Sequence, residues 1–151
     1  MPHFTLGIDV GGPVVNATVY VSEGRRLALL AQNLPIPLPR MIRALVDTGA
    51  SFTSVEPAVL GVLGLGLTPT GTIDIVTPST GQGVHTADTY DVDFVIAGAH
   101  QQEPPLILPN LRVAACDLFL RQGIHALIGR DILERCILVY NGSQSTFSLA
   151  F

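Results

Sequence analysis

Much of the chain alternates apolar and polar residues with a period of two, the mark of strands buried on one face. Phe4, Leu6, Ile8 and Val10 share a face. After the turn signal Gly11-Gly12-Pro13, Val15, Ala17, Val19 and Val21 share another. Together these runs predict a β-hairpin within residues 1–22. Pro35, Pro37 and Pro39 then mark a connection, because proline brings no amide donor to a sheet ladder. Met41 to Val46 predicts a short apolar strand. Ile73 and Ile75 enter the turn-rich segment Thr77-Pro78-Ser79-Thr80-Gly81-Gln82-Gly83, and Tyr90, Val92, Phe94 and Ile96 return from it. That pattern predicts a long hairpin with a glycine-containing tip. Leu106 to Val113, Ala126 to Ile128, Ile137 to Tyr140 and Thr146 to Phe151 are further strands. Helices are few: one over Val55 to Leu63, capped by Thr53 or Ser54 with Pro57 in its first turn, and a short one near Asp131 to Arg135. Short strands punctuated by glycine and proline predict an all-β fold with a closed or nearly closed sheet.

Composition narrows this picture. The 151 residues suit one domain, 1–151. Hydrophobic residues make up 48% and charged ones only 13%, so the surface is poor in charge and oligomerisation is expected. A net charge of -4 without a basic run argues against nucleic acid as a partner. The most apolar stretch, Ala58 to Leu67, is far short of a membrane span, and the N-terminus lacks the pattern of a secretion signal. The expectation is a cytoplasmic protein with no membrane association. Cys116 and Cys136 show no metal-ligand spacing and the four histidines lie apart, so free thiols, no metal and no cofactor are expected.

The chemistry centres on Ala44-Leu45-Val46-Asp47-Thr48-Gly49-Ala50-Ser51. An apolar strand ends there in a carboxylate, followed by a glycine that permits close backbone approach and a threonine whose hydroxyl can lock a turn. An Asp-Thr-Gly tripeptide alone arises by chance in roughly a few per cent of chains of this length at average residue usage. Its ordinary reading is a turn-capping aspartate. Some eighty residues on stands Ala126-Leu127-Ile128-Gly129-Arg130-Asp131-Ile132-Leu133, which by itself reads as a strand-to-helix turn.

In combination these segments resemble the retropepsin-like aspartic peptidases, the family of retroviral proteases and their cellular and bacterial relatives. Asp-Thr-Gly-Ala-Ser, an intervening hairpin, an apolar pair before Gly-Arg-Asp, a short helix and a terminal strand follow that family's order of parts over about Met41 to Phe151. The resemblance implies a single-domain closed β-barrel of the retropepsin type, and Asp47 as one carboxylate of a catalytic pair. Thr48 would tie the catalytic loops across a dimer axis, and Gly49 would contact substrate backbone. Ala50 and Ser51 would flank the substrate, Leu127 and Ile128 would line side-chain pockets, and the tip around Thr80, Gly81 and Gly83 would form a flap.

Three departures stand out. The N-terminal part is longer than in retroviral members, whose dimer sheet uses both termini. Ser51 replaces the aspartate that pairs with the arginine matching Arg130, which leaves Asp131 as a substitute partner. The flap tip lacks adjacent glycines.

Peptide hydrolysis without a metal needs one carboxylate to take a proton from water and one carboxylic acid to protonate the scissile carbonyl. The chain carries one Asp-Thr-Gly, so a homodimer is expected to make the pair and to act as an endopeptidase on a peptide or protein substrate. Thr146 to Phe151, with Phe147, Leu149 and Phe151 on one face, would offer the partner an edge strand. Ala50 cannot donate a side-chain hydrogen bond to the pair as a hydroxyl residue would, so activity is expected at mildly rather than strongly acidic pH. Ser51 and Ser54 lack a nucleophile elbow, which weighs against a serine hydrolase. The alternative of another class is a dimeric peptide-binding or scaffolding module with weak or no turnover.

Overall fold

Val15, Ala17, Val19 and Val21 are all buried while Asn16 and Tyr20 face outward, so the period of two along β2 (Val14–Val21) becomes one wall of the core. The computed structural model describes residues 1–76, 81, 83–100, 102–118 and 122–151. Around β2 stand β1 (His3–Gly7), α1 (Glu23–Ala31), β3 (Arg40–Val46), β4 (Ser54–Val55), α2 (Pro57–Val62) and β5 (Gly71–Ile75). Then come β6 (His85–Ile96), β7 (Leu106–Ala115), β8 (Ala126–Ile128), α3 (Arg130–Leu133), β9 (Ile137–Asn141) and β10 (Thr146–Ala150).

Six strands close into a barrel in the order β2-β3-β8-β4-β7-β6, because β2 pairs with β3 on one side and β6 on the other. The 12 residues of β6 allow it two roles: Val92 to Ile96 pair with β2, while His85 to Thr89 pair with β5 outside the ring. That second pairing is the long hairpin expected between the two motifs. Most pairings are antiparallel, but β3–β8 and β4–β7 run parallel. The parallel β3–β8 pair carries Asp-Thr-Gly and Gly-Arg-Asp side by side out of one end of the barrel.

A second sheet, β1-β10-β9, is antiparallel throughout. Its inner face places Phe4, Phe147 and Leu149 in the same hydrophobic core as the barrel. All three are essentially inaccessible, and each such burial stabilises the fold by about 1.5–3 kcal/mol. The rings of Phe4 and Phe151 meet edge to face, 6.1 Å apart.

The structure corrects four expectations. β1 and β2 form no hairpin; they part after an Asp9–Gly12 bridge and join different sheets. On β10, Phe4 and Leu6 oppose Leu149 and Phe147, larger apolar partners than the valines and alanines of β2. The last strand is therefore no edge for a partner: β10 lies between β1 and β9. The connection after Val21 includes a helix, α1, whose N-terminus is capped by the Ser22 hydroxyl accepting from the Arg25 N–H at 3.4 Å. Finally, α2 begins at Pro57 with Glu56 as its cap, while Ser54 and Val55 form the strand that bridges β7 and β8. Among the described residues, no helix is long and apolar enough to cross a membrane.

Candidate active site

Asp47 follows the last residue of β3 and is held from both sides. Its N–H donates to the Ile128 carbonyl at 3.0 Å, and the preceding Val46 N–H donates to the Pro13 carbonyl at 2.9 Å. The chain then turns back on the aspartate itself. Gly49 donates its N–H to Asp47 Oδ1 at 2.8 Å, and Ala50 donates to the Asp47 carbonyl at 3.2 Å. A Cβ on Gly49 would stand 3.1 Å from that carboxylate oxygen, so glycine lets the backbone donor come this close. The Gly49 bond fixes one oxygen of a half-buried carboxylate.

Arg130 clamps the turn from the start of α3. Its guanidinium donates to the carbonyls of Thr48 at 3.0 Å and Gly49 at 3.3 Å and to the Ser51 hydroxyl at 2.6 Å, while its N–H donates to the Ala50 carbonyl at 2.9 Å. The planar fork of arginine suits this divergent set of acceptors. Ser51 thus supplies a neutral acceptor where the resemblance implied an ion pair. Asp131 is not the substitute partner. Its carboxylate accepts from the Thr53 hydroxyl at 2.8 Å and N–H at 3.1 Å and from the Ile132 N–H at 3.0 Å. Thr53 is fully buried, and its hydroxyl in turn accepts from the Gly129 N–H at 3.1 Å. Gly129 has no room for a side chain, because a Cβ would lie 2.5 Å from the Phe52 carbonyl carbon.

Asp47 opens into a groove of about 640 Å³. The turn contributes Gly49, Ala50, Ser51 and Phe52, and the end of β5 contributes Ile73 to Val76. Cys116, Asp117 and Leu118 form a further wall, with Leu127 and Ser54 completing the lining. That wall is anchored by Glu56, only 3% exposed, whose carboxylate accepts from the Leu118 N–H. Burial pushes the Cys116 thiol up, partly offset by a hydrogen bond with Ser54, while the negative charges of Asp117 and Glu56 add to the rise. Both cysteines are free thiols. No group of three His, Cys, Asp or Glu among the described residues is placed to hold a metal ion.

No family model matches the chain, and neither does any curated protein. A solved structure does: the crystal structure of a retropepsin-like aspartic protease from Rickettsia conorii aligns with 99% of this chain and 90% of that one, with a TM-score of 0.61 and 19% sequence identity. The fold is retropepsin-like. Two other solved structures are more distant. The simian foamy virus (mac) protease has a TM-score of 0.44 at 18% identity, covering 80% of this chain and 91% of that one. The retroviral protease-like domain of Ddi1 from Leishmania major has 0.42 at 13%, covering 87% and 83%.

Within this retropepsin-like fold the residues singled out from sequence separate into three groups. Asp47, Gly49, Ala50, Ser51 and Leu127 meet at the groove. Thr48 is exposed outside its lining, and Ile128 is fully buried in the core. Neighbours on a strand face opposite ways, so Leu127 and Ile128 cannot both reach substrate. Gly81, with φ at 61°, and Gly83 are exposed and outside the described lining of the groove, whereas Thr80 lies outside the described residues. Sequence reasoning missed Phe52, Cys116, Asp117 and Leu118, which belong to no motif.

Proposed function

We propose that this chain is one subunit of a homodimeric aspartic endopeptidase. The observation that carries the reading is Asp47 itself: a carboxylate at a groove, oriented by the Gly49 N–H in a turn that Arg130 clamps. One such group is half a catalytic pair, and a two-fold axis beside the turn supplies the other from the second copy. Thr48, exposed at that turn, ties the two catalytic loops together.

In the working form the two aspartates share one proton, because two carboxylates so close cannot both ionise easily. The ionised one takes a proton from water as the water oxygen bonds to the scissile carbonyl carbon. The protonated one gives its proton to the carbonyl oxygen, yielding a neutral gem-diol. In breakdown the newly protonated aspartate gives its proton to the nitrogen as the C–N bond breaks, and the ionised one takes a proton from a gem-diol hydroxyl as the product carbonyl forms, restoring the singly protonated pair. Ala50, Ser51 and Leu127 flank the bound peptide, and apolar lining from Leu127 and Phe52 favours apolar side chains at the cleaved bond. The β5–β6 hairpin, whose first strand borders the groove at Ile73 to Val76, acts as the flap that closes over an extended substrate.

Subunit mixing tests the reading. At fixed total concentration and after exchange, an equal mixture of wild type and Asp47→Asn should keep about a quarter of the wild-type activity, because random pairing leaves that share of intact dimers. Retention of half would show that each chain acts alone.

A further inference from the structure

Asp117 brings a charge to the groove wall on a segment that is held from both sides. The Cys116 N–H before it donates to the Val55 carbonyl at 3.1 Å, and the Leu118 N–H after it donates to the buried Glu56 carboxylate. Asp117 itself is exposed and lines the groove. The ion pairs among the described residues take Asp9, Glu23 and Asp91, not Asp117. Its charge is felt at the neighbouring Cys116, where it adds to the upward push that burial gives the thiol. The rest of the lining does not neutralise it. Asp74, near the end of β5, is a further carboxylate, its Oδ1 accepting from the Thr86 hydroxyl at 2.9 Å. None of the described lining residues is Arg, Lys or His. Arg130, the cation of the neighbouring turn, directs its guanidinium at the Thr48 and Gly49 carbonyls and the Ser51 hydroxyl.

We infer that Asp117 is a specificity-determining residue, selecting an arginine or lysine side chain at one position of the bound peptide, beside the apolar residues at the cleaved bond. This rests on the peptidase reading above and narrows its substrate class to peptides with a basic residue near an apolar cut. The methylene stem of the basic residue lies along apolar lining such as Leu118, and its charged end meets the carboxylate. Because the backbone on either side of Asp117 is already fixed, pairing costs little ordering of the wall. Selection also works by exclusion: a glutamate at the same position faces a like charge and is rejected.

The test uses paired peptides that carry arginine or its uncharged isostere citrulline at each position around an apolar cleavage site in turn. At one position wild type should show a kcat/KM about tenfold higher for arginine, the effect of an ion pair between an exposed and a desolvated one, and the ratio should shrink with added salt. Asp117→Asn should abolish the preference at that position, and Asp117→Arg should favour glutamate over glutamine there. Glu23→Gln, an equal change of charge in the first turn of α1 and outside the groove lining, should keep the wild-type ratio. Affinities of the same peptides for Asp47→Asn, read by fluorescence anisotropy, should show the same preference without turnover. A protein that favours arginine at no position, in cleavage or in binding, would overturn the proposal, as would a ratio that survives Asp117→Asn or falls equally in Glu23→Gln. A preference for arginine in binding that Asp117→Asn abolishes, in a wild type that cuts nothing, would uphold the selectivity while removing the peptidase reading.

Discussion

Thr53→Val replaces a fully buried hydroxyl by a methyl of nearly the same shape, so it isolates hydrogen bonding beneath the Asp47 turn from packing. Two bonds go. The Asp131 carboxylate loses a donor at 2.8 Å, and the buried Gly129 N–H loses its acceptor at 3.1 Å. A hydrogen bond to a charged group contributes about 1.5–3 kcal/mol, and stranding a buried donor costs about 1–3 kcal/mol. Because both pass through one oxygen they do not add fully, and a net loss of about 3 kcal/mol follows. For a chain of this size that lowers the melting temperature by about 6–12 °C. Thr53→Ser keeps both bonds and loses one buried methyl, a cost of about 1 kcal/mol. Urea unfolding of both variants at one protein concentration gives the comparison, with concentration fixed because association shifts apparent stability. A valine variant as stable as the serine variant would refute the network.

Other expectations concern neighbouring residues. Gly129→Ala should lose at least about 2 kcal/mol in the same urea assay, since its Cβ would strike backbone rather than a movable side chain. An alanine variant of wild-type stability would contradict the tight approach. Arg130→Lys should lower kcat about tenfold to a hundredfold with a melting temperature near wild type, because an ammonium cannot hold two carbonyls and a hydroxyl at once. An unchanged kcat would show that the clamp does not position Asp47. Burial raises the thiols of Cys116 and Cys136, so less of each is thiolate at neutral pH; alkylation should be slow there and keep rising with pH beyond about 8.5, the ordinary thiol value. A groove-bound peptide should protect Cys116 and not Cys136; equal protection of both would speak against the groove as the peptide site.

The turn at Asp47 was legible as a structural unit because its parts are local: an aspartate, a glycine two residues on and an arginine beside them in the adjacent strand-to-helix turn. The closed barrel followed from period two and turn residues. Strand partners were another matter. Period two marks a strand but not its neighbour, and β1 finds its partner at the other end of the chain, where Thr5 and Ser148 hydroxyls meet at 2.6 Å. The helix α1 escaped because Leu29 alone is buried while Leu27 and Leu30 face out, so no apolar stripe of helical period marks it. Thr53 was read as a helix cap; its hydroxyl does satisfy a backbone N–H, but that of Gly129, 76 residues away. Ile128 could have been excluded from the groove by strand alternation once Leu127 was placed there. Asp117 and Leu118 gave no sign, because Glu56, a residue distant in sequence, fixes their segment.

The role of Asp47 is tested most directly by cleavage of a mixed peptide library between mildly acidic and neutral pH by wild type and by Asp47→Asn, each purified identically and held at concentrations that favour dimers. Wild type should cut, and the asparagine variant, folded to the same degree, should not. Equal cutting by both would show that Asp47 is not the catalytic carboxylate, and a folded wild-type dimer that cuts nothing would contradict peptidase function itself.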